Sequence, residues 1–246
     1  MCIRDRHNFF VHPSSIKADQ VTLTGEVARQ IARVLRLRAG DEIVILDNSG
    51  YEYLVFLHKV SSTTVDGLVK ERRWNQSEPT TRVTLYQGML KSDKFEFVLQ
   101  KGTELGVTEF VPILCERSIA RAVGELTRSR RNRWERIIVE ASEQAGRGKL
   151  PTLSDPVSFD TACEDAPGLK VIPWENESVT KLRSVLNGNP GGVSIFIGPE
   201  GGLTAKEVET AGCFNITPVT LGPRVLRAET AAITAVAAVM YESGEL

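Results

Sequence analysis

Val193-Ser194-Ile195-Phe196-Ile197 runs into Gly198-Pro199-Glu200-Gly201-Gly202, and then into Leu203-Thr204-Ala205-Lys206-Glu207. A short apolar run, a glycine-rich stop and a polar helix start follow one another without a gap. Thr204 and Glu207 stand at capping-box spacing ahead of Val208. The same figure then repeats. Ile216 to Leu221 is apolar, Gly222-Pro223-Arg224 stops it, and Val225-Leu226-Arg227-Ala228-Glu229-Thr230 leads into an alanine-rich helix. Two strand–loop–helix units in succession predict parallel strands, with both loops at their carboxyl ends. Open α/β sheets bind ligands at that edge.

Working back from this stretch, the pattern predicts an α/β domain. Val83–Gln87 and Glu109–Leu114 read as strands, and Val171–Trp174 as a shorter one. Ser92–Leu105 reads as a helix with Phe95, Val98 and Leu99 inward, closed by Gly106 where left-handed geometry favours glycine. Thr127–Ala145 is a long helix with Trp134, Ile137, Ile138 and Ala141 on one stripe, and Val179–Leu186 is a further helix. Ahead of residue 75 the texture differs. Phe9-Phe10-Val11, Glu42–Asp47, Tyr51–Val60 and Thr63–Val69 read as short strands, with Asn48-Ser49-Gly50 as a hairpin turn. Gly25–Leu37 is a single helix, with Val27, Ile31, Val34 and Leu35 inward and Arg29, Arg33 and Arg36 outward. Several strands around one helix predict a small β-barrel over residues 1–74. A polar linker over 75–81 and an α/β domain over 82–246 complete the division. Met1–Asp5 joins no pattern and reads as an extension outside the fold.

The chain of 246 residues has a net charge of −1, which hides an asymmetry. Residues 117–149 carry 9 basic and 4 acidic groups, whereas residues 150–246 carry 6 and 12. A local basic patch is the footprint of a nucleic-acid binder, although a solvated helix face accounts for it as well. No run of about 18 apolar residues exists, so no membrane span is expected. The cysteines Cys2, Cys115, Cys163 and Cys213 are too scattered for a metal clip, and there are only 3 histidines. No metal is expected, and scattered thiols fit a reducing cytoplasm.

The first loop lacks the lysine and Ser/Thr of a phosphate-binding loop and the G-x-G-x-x-G spacing of a dinucleotide site. Its glycines alone fit a plain strand–helix turn. In the second loop Glu229 and Thr230 suit any helix start. Arg224 and Arg227 do not, because two cations near a helix N-terminus oppose its dipole. They call for a partner, either a carboxylate such as Glu200 or a substrate.

Together these two loops closely resemble the RsmE family, bacterial 16S rRNA uridine N-3 methyltransferases of the SPOUT superfamily. The resemblance extends to Val34-Leu35-Arg36-Leu37 with Gly40-Asp41, to Lys91 and Thr103-Glu104-Leu105-Gly106, and to Pro112 and Glu116-Arg117-Ser118. It takes in Arg133-Trp134, Glu140-Ala141 and Glu143-Gln144-Ala145-Gly146-Arg147, and runs from about Arg6 to the chain end. Gln30 stands where the family often has a histidine, and Arg6 fits the arginine that precedes its Phe-Phe-Val.

The resemblance implies an N-terminal PUA-like barrel that binds RNA and a C-terminal SPOUT α/β domain tied in a trefoil knot. It implies S-adenosylmethionine as methyl donor and a homodimer with the last helix near the interface. The implied target is the uridine at position 1498 of 16S rRNA, within an assembled small ribosomal subunit. On this reading Ile197, Gly198, Pro199, Glu200, Gly201, Gly202, Leu221, Gly222 and Leu226 line the cofactor site. Arg227 stabilises the uracil, and Glu229 or Glu200 takes the proton or orients the arginines. Arg6, Arg33, Arg36, Lys91, Lys94 and Arg147 contact RNA. The alternatives are a SPOUT enzyme acting on another base or ribose, and a non-catalytic RNA-binding protein.

Overall fold

A computed structural model describes residues 6–118, 127–186 and 191–246 of the chain. The Met1–Asp5 extension expected from the sequence lies outside the described residues. The chain divides into two units, one of residues up to Glu78 together with Ser142–Leu150, the other of Pro79–Ala141 and Pro151–Leu246. The return of Ser142–Leu150 to the first unit has no counterpart in a linear division at 75–81. It is held by side chains that reach across sequence. Asn75, 2 % exposed, donates to the Gly146 carbonyl at 2.9 Å, and Glu78 accepts from the Gly148 and Lys149 amides at 2.9 and 3.0 Å.

The first unit is a curled six-stranded sheet. Its strands are β1 (Asn8–Phe10), β2 (Ile16–Lys17), β3 (Gln20–Thr24), β4 (Glu42–Leu46), β5 (Tyr51–Val60) and β6 (Thr64–Trp74), in the order β1-β4-β5-β6-β3-β2. Register shifts after Leu54 and Leu57 bend β5 against β6, as bulges do. The curl encloses Phe9, Ile31, Ile43, Ile45, Val55 and Leu57, all about 1 % exposed or less. Gly25–Arg29 forms helix α1, and Gln30–Val34 continues it as a wider turn in which the Leu35 amide bonds the Gln30 carbonyl, five residues back. That widening corrects one expectation. Val34, placed inward by a 3.6-residue period, is rotated out and is 72 % exposed.

The second unit is an all-parallel seven-stranded sheet. Its strands are β7 (Arg82–Gly88), β8 (Glu109–Leu114), β9 (Thr152–Leu153), β10 (Val157–Ser158), β11 (Leu169–Pro173), β12 (Gly192–Ile197) and β13 (Thr217–Val219). The order is β10-β8-β7-β12-β11-β13, with β9 beside β8. The helices are α2 (Ser92–Glu104), α3 (Arg128–Ala145), α4 (Phe159–Asp165), α5 (Leu182–Leu186), α6 (Ala205–Cys213) and α7 (Ala228–Glu242). Both faces of such a sheet must be covered. One core packs Phe95, Val98, Trp134, Ile195, Ala235 and Val239; the other packs Tyr86, Ile113, Phe159, Phe196 and Ile216. Phe95 stacks on Trp134 at 4.3 Å, and Tyr86 on Phe196 at 4.4 Å.

Gly106 closes α2 at φ +100°, and a Cβ there would meet the Met240 methyl at 2.5 Å, so the turn needs glycine twice over. The capping box at Thr204 and Glu207 forms in full. Leu182–Leu186 is shorter than the helix expected from Val179, because the Glu177 carboxylate takes the Val179 and Thr180 amides into a turn first. No helix among the described residues is long and apolar enough to cross a membrane.

Candidate active site

The carboxyl ends of β7, β11, β12 and β13 deliver Gln87, Pro173, Ile197 and Val219 to one edge of the sheet. Two adjoining cavities open there. One, of about 190 Å³, lies between Ile197–Leu203 and Val225–Ala228; the other, of about 110 Å³, lies between Pro173–Glu175 and Thr220–Leu226. They share Pro173, Glu175, Val225, Leu226 and Ala231. Every residue the sequence assigned to the cofactor set lines one or both: Ile197, Gly198, Pro199, Glu200, Gly201 and Gly202 in the first, Leu221 and Gly222 in the second, Leu226 in both.

The first loop is braced on all sides. A Cβ on Gly198 would meet Leu203 at 2.9 Å, one on Gly201 the Arg117 side chain at 3.0 Å, and one on Gly202 a Glu175 carboxylate oxygen at 2.7 Å. Gly202 also sits at φ +70°. Gly88, at the end of β7, has no room either: its Cβ would stand 2.5 Å from the Pro199 nitrogen. The buried Gln87 donates through Nε2 to the Gly88 carbonyl at 3.0 Å and to the Gly198 carbonyl at 3.5 Å. The glycines that alone fitted a plain turn are therefore also packing requirements.

Carboxylates gather at the loop. Glu200 Oε1 accepts the Lys91 amide at 3.0 Å, which ties the loop to the start of α2. Lys94 Nζ lies 3.9 Å from Glu200 Oε1 and 3.5 Å from Glu229 Oε2, so one ammonium group bridges both carboxylates. The Oε2 atoms of Glu200 and Glu229 are buried and carry no hydrogen bond. Glu229 Oε2 faces the Lys94 ammonium, whereas Glu200 Oε2 beside the first cavity has no such partner. A buried carboxylate oxygen without a donor is costly, and beside a cavity it is a place for a ligand's N–H. The Trp174 indole N–H is in the same condition beside the second cavity.

The second loop is open. Gly222, at φ +112°, has nothing within 4 Å of a built Cβ, and Val225 is 85 % exposed. Arg227 is the N-cap residue of α7, and both Arg224 and Arg227 are exposed. Neither forms an ion pair among the described residues, so the carboxylate partner considered for them is absent there; Glu200 is matched with Lys94 instead.

The six cations assigned to RNA separate into two groups. Arg33, Arg36 and Lys91 are exposed. The other three have ion-pair partners within the chain. Arg6 pairs with Glu42 at 2.6 Å, Arg147 pairs with Glu78 at 3.1 Å with its side chain only 3 % exposed, and Lys94 serves Glu200 and Glu229. A linear charge count cannot separate a buried cation from a presented one. It likewise missed Trp174 and Glu175, whose signal was their place just past a strand end. Burial disfavours the thiolate form of both buried cysteines. Burial pushes Cys115 far up, with the Glu207 charge adding to it, and pushes Cys163 up to about 12. Among the described residues no cluster of three or more metal-binding side chains exists.

Comparison with known proteins places this geometry. Residues 76–240 match the family model described as RNA methyltransferase domain, and residues 23–69 match that described as RNA methyltransferase PUA domain. The ribosomal RNA small subunit methyltransferase E of Bacillus subtilis is 34 % identical over 235 residues, covering 92 % of each chain. The protein of the same name from Synechocystis is 34 % identical over 94 % of this chain and 76 % of its own. A crystal structure of ribosomal RNA small subunit methyltransferase E from Neisseria gonorrhoeae, bound to S-adenosyl methionine, superposes with a TM-score of 0.87 at 29 % identity, over 97 % of this chain and 98 % of that one. The chain belongs to the ribosomal RNA small subunit methyltransferase E family of RNA methyltransferases.

Proposed function

We propose that this protein transfers a methyl group from S-adenosylmethionine to N-3 of the uridine at position 1498 of 16S rRNA, on the small ribosomal subunit. The observation that carries the reading is one cavity between a braced loop bearing Glu200 and an open loop bearing Arg227, which forms no ion pair among the described residues. The residues fit the cofactor. Glycines leave room for close backbone approach, and the backbone at Leu221, Gly222 and Leu226 offers uncharged donors and acceptors to an adenine edge. The buried Oε2 of Glu200, at the cavity wall, stands ready for a donor. When bound, S-adenosylmethionine supplies an electrophilic methyl group.

The chain supplies the rest. Uracil N-3 carries a proton and is a poor nucleophile until that proton leaves. Glu229 or Glu200 accepts it, a role worth roughly 10²–10⁴-fold for a general base. Arg227, free of any ion pair among the described residues, faces the negative charge left on the uracil, worth roughly 10²–10³-fold for one such donor. Lys94 keeps the two carboxylates beside each other without repulsion. Arg33, Arg36 and Lys91 meet phosphates, which makes binding fall with added salt.

The trefoil knot belongs to this proposal, supported by β12 lying between β7 and β11 with β13 beyond. A homodimer belongs to it too, supported by Tyr241 standing 70 % exposed on the alanine-rich α7. The deciding experiment incubates small subunits lacking the modification with protein and S-adenosylmethionine, and maps reverse-transcription stops. A methyl on N-3 blocks base pairing, so a new stop at that uridine is expected; a stop elsewhere, or none, rejects the assignment.

A further inference from the structure

The first unit carries a second cluster that the reaction does not use. On one face of the β5–β6 ladder, Tyr51 stands opposite Trp74 and Tyr53 opposite Arg72. Tyr51 and Trp74 meet edge to face at 5.1 Å. The Arg72 guanidinium lies 3.8 Å from the Tyr51 ring centroid and 5.7 Å from that of Tyr53, and Lys149 Nζ lies 5.6 Å from the Trp74 centroid. Aromatic rings and cations thus alternate along the face.

The arrangement is built rather than incidental. Trp74 rests on Gly50, where a Cβ would stand 2.8 Å from the indole. The Asn75 amide bonds the Gly50 carbonyl at 2.9 Å and fixes that approach. Lys149 is brought to Trp74 by Glu78, which accepts the Lys149 amide, and by Asn48, which accepts the Leu150 amide at 2.7 Å. Yet the indole is left 52 % exposed. Arg72 and Lys149 form no ion pair among the described residues, so their close contacts are aromatic rings. An exposed aromatic surface flanked by cations that form no ion pair among the described residues complements a ligand with flat faces and negative charge.

We propose that Tyr51, Arg72, Trp74 and Lys149 form a stacking platform for an unpaired nucleotide of RNA, with the base on Trp74 and the flanking phosphates on Arg72 and Lys149. Arg72, Trp74 and Lys149 lie outside residues 23–69, which carry the PUA match, while Tyr51 lies within them; the site includes neither Arg33 nor Arg36. The proposal rests on the RNA-methyltransferase reading only for its choice of polyanion. Base–aromatic stacking tolerates any base, so the platform selects unpaired over paired RNA rather than sequence.

The test uses the full-length protein, a fluorescein-labelled ten-residue oligouridylate, and anisotropy at low salt. Trp74→Ala is expected to weaken binding about 5- to 150-fold, with Trp74→Phe retaining most of it. Arg72→Gln and Lys149→Gln, at exposed side chains, should each flatten the dependence of log affinity on log salt by about 0.7. Should Trp74→Ala fail to fold, these two and Trp74→Phe carry the test. Unchanged affinity and salt slope across the folded variants overturn the platform. So does polyglutamate displacing the RNA from wild type but not from Arg72→Gln, which would assign the face to an acidic protein. Methyl transfer to small subunits is measured alongside. Wild type that binds oligouridylate but transfers no methyl overturns the proposed reaction and leaves the platform standing.

Discussion

The two loops of the candidate site are built in opposite ways. Residues 198–202 have almost no freedom. Three glycines are packed to contact, Gly88 presses on Pro199 from the neighbouring strand, and Glu200 is tied to α2 through the Lys91 amide. Residues 221–227 have open space around Gly222 and keep Val225, Arg224 and Arg227 exposed. On the proposed function, a wall that holds the cofactor and a loop that meets an arriving RNA face different demands. Rigid packing serves the first. For the second, unpaired charge is kept in water, where it costs little until substrate removes the water.

Substitutions should separate the two designs. Arg227→Ala should produce the largest loss, about 10²–10³-fold in kcat. Binding of S-adenosylmethionine by calorimetry should change little, because Arg227 is free of the braced wall; equal loss of both would erase the contrast. Gly88→Ala acts on the wall. Its Cβ would collide with backbone at Pro199 and Gly198, so about 1–3 kcal/mol of stability should go, with weaker cofactor binding and a lowered Tm. Lys94→Met leaves Glu200 and Glu229 together without their shared cation. It should cost about 1–3 kcal/mol in denaturant unfolding and slow turnover under saturating RNA.

The smallest effect concerns what supports the open loop. The Thr220 amide bonds the Thr180 carbonyl at 2.8 Å, and Thr180 is held in turn by the Glu177 carboxylate. The backbone amides of Thr180 and Val179 hold the Glu177 carboxyl below its ordinary value. A lowered folded pKa gives support that is complete above the ordinary carboxylate range and is lost as pH falls through the folded value. The protection factor of the Thr220 amide, exchange measured relative to its intrinsic rate at each pH, should therefore fall in wild type on acidification below about pH 4.5. Glu177→Gln should show the lowered protection already at pH 7. Acid-independent protection in wild type would detach the loop from this turn.

How much of this was legible in the sequence differs by kind of interaction. The strand–loop–helix rhythm, the capping box at Thr204 and the glycine stop at Gly106 are local, and each formed where its residues stood. Both loops could be paired because their motifs matched a family, not because periodicity placed them together. Longer-range facts escaped. Nothing local separates Arg147, closed against Glu78, from Arg33, open to water, since the difference lies in a carboxylate 69 positions away. Lys94 was read as an RNA contact for the same reason. The wide turn at Gln30–Val34 defeated a helical period that assumes 3.6 residues throughout, and β9, β10 and α4 were too short or too plain to show any period.

The place of β12 bears on the order in which the chain can become a protein. It lies in the middle of the sheet, hydrogen-bonded to β7 on one side and β11 on the other, yet its residues begin at Gly192. Register partners Arg82 and Gly192 are far apart in the chain, and such non-local pairing slows folding. During synthesis β7 and β11 therefore emerge first and wait with open edges, since the strand between them has not been made. A nascent second unit cannot complete its sheet until β12 and then β13 have left the ribosome.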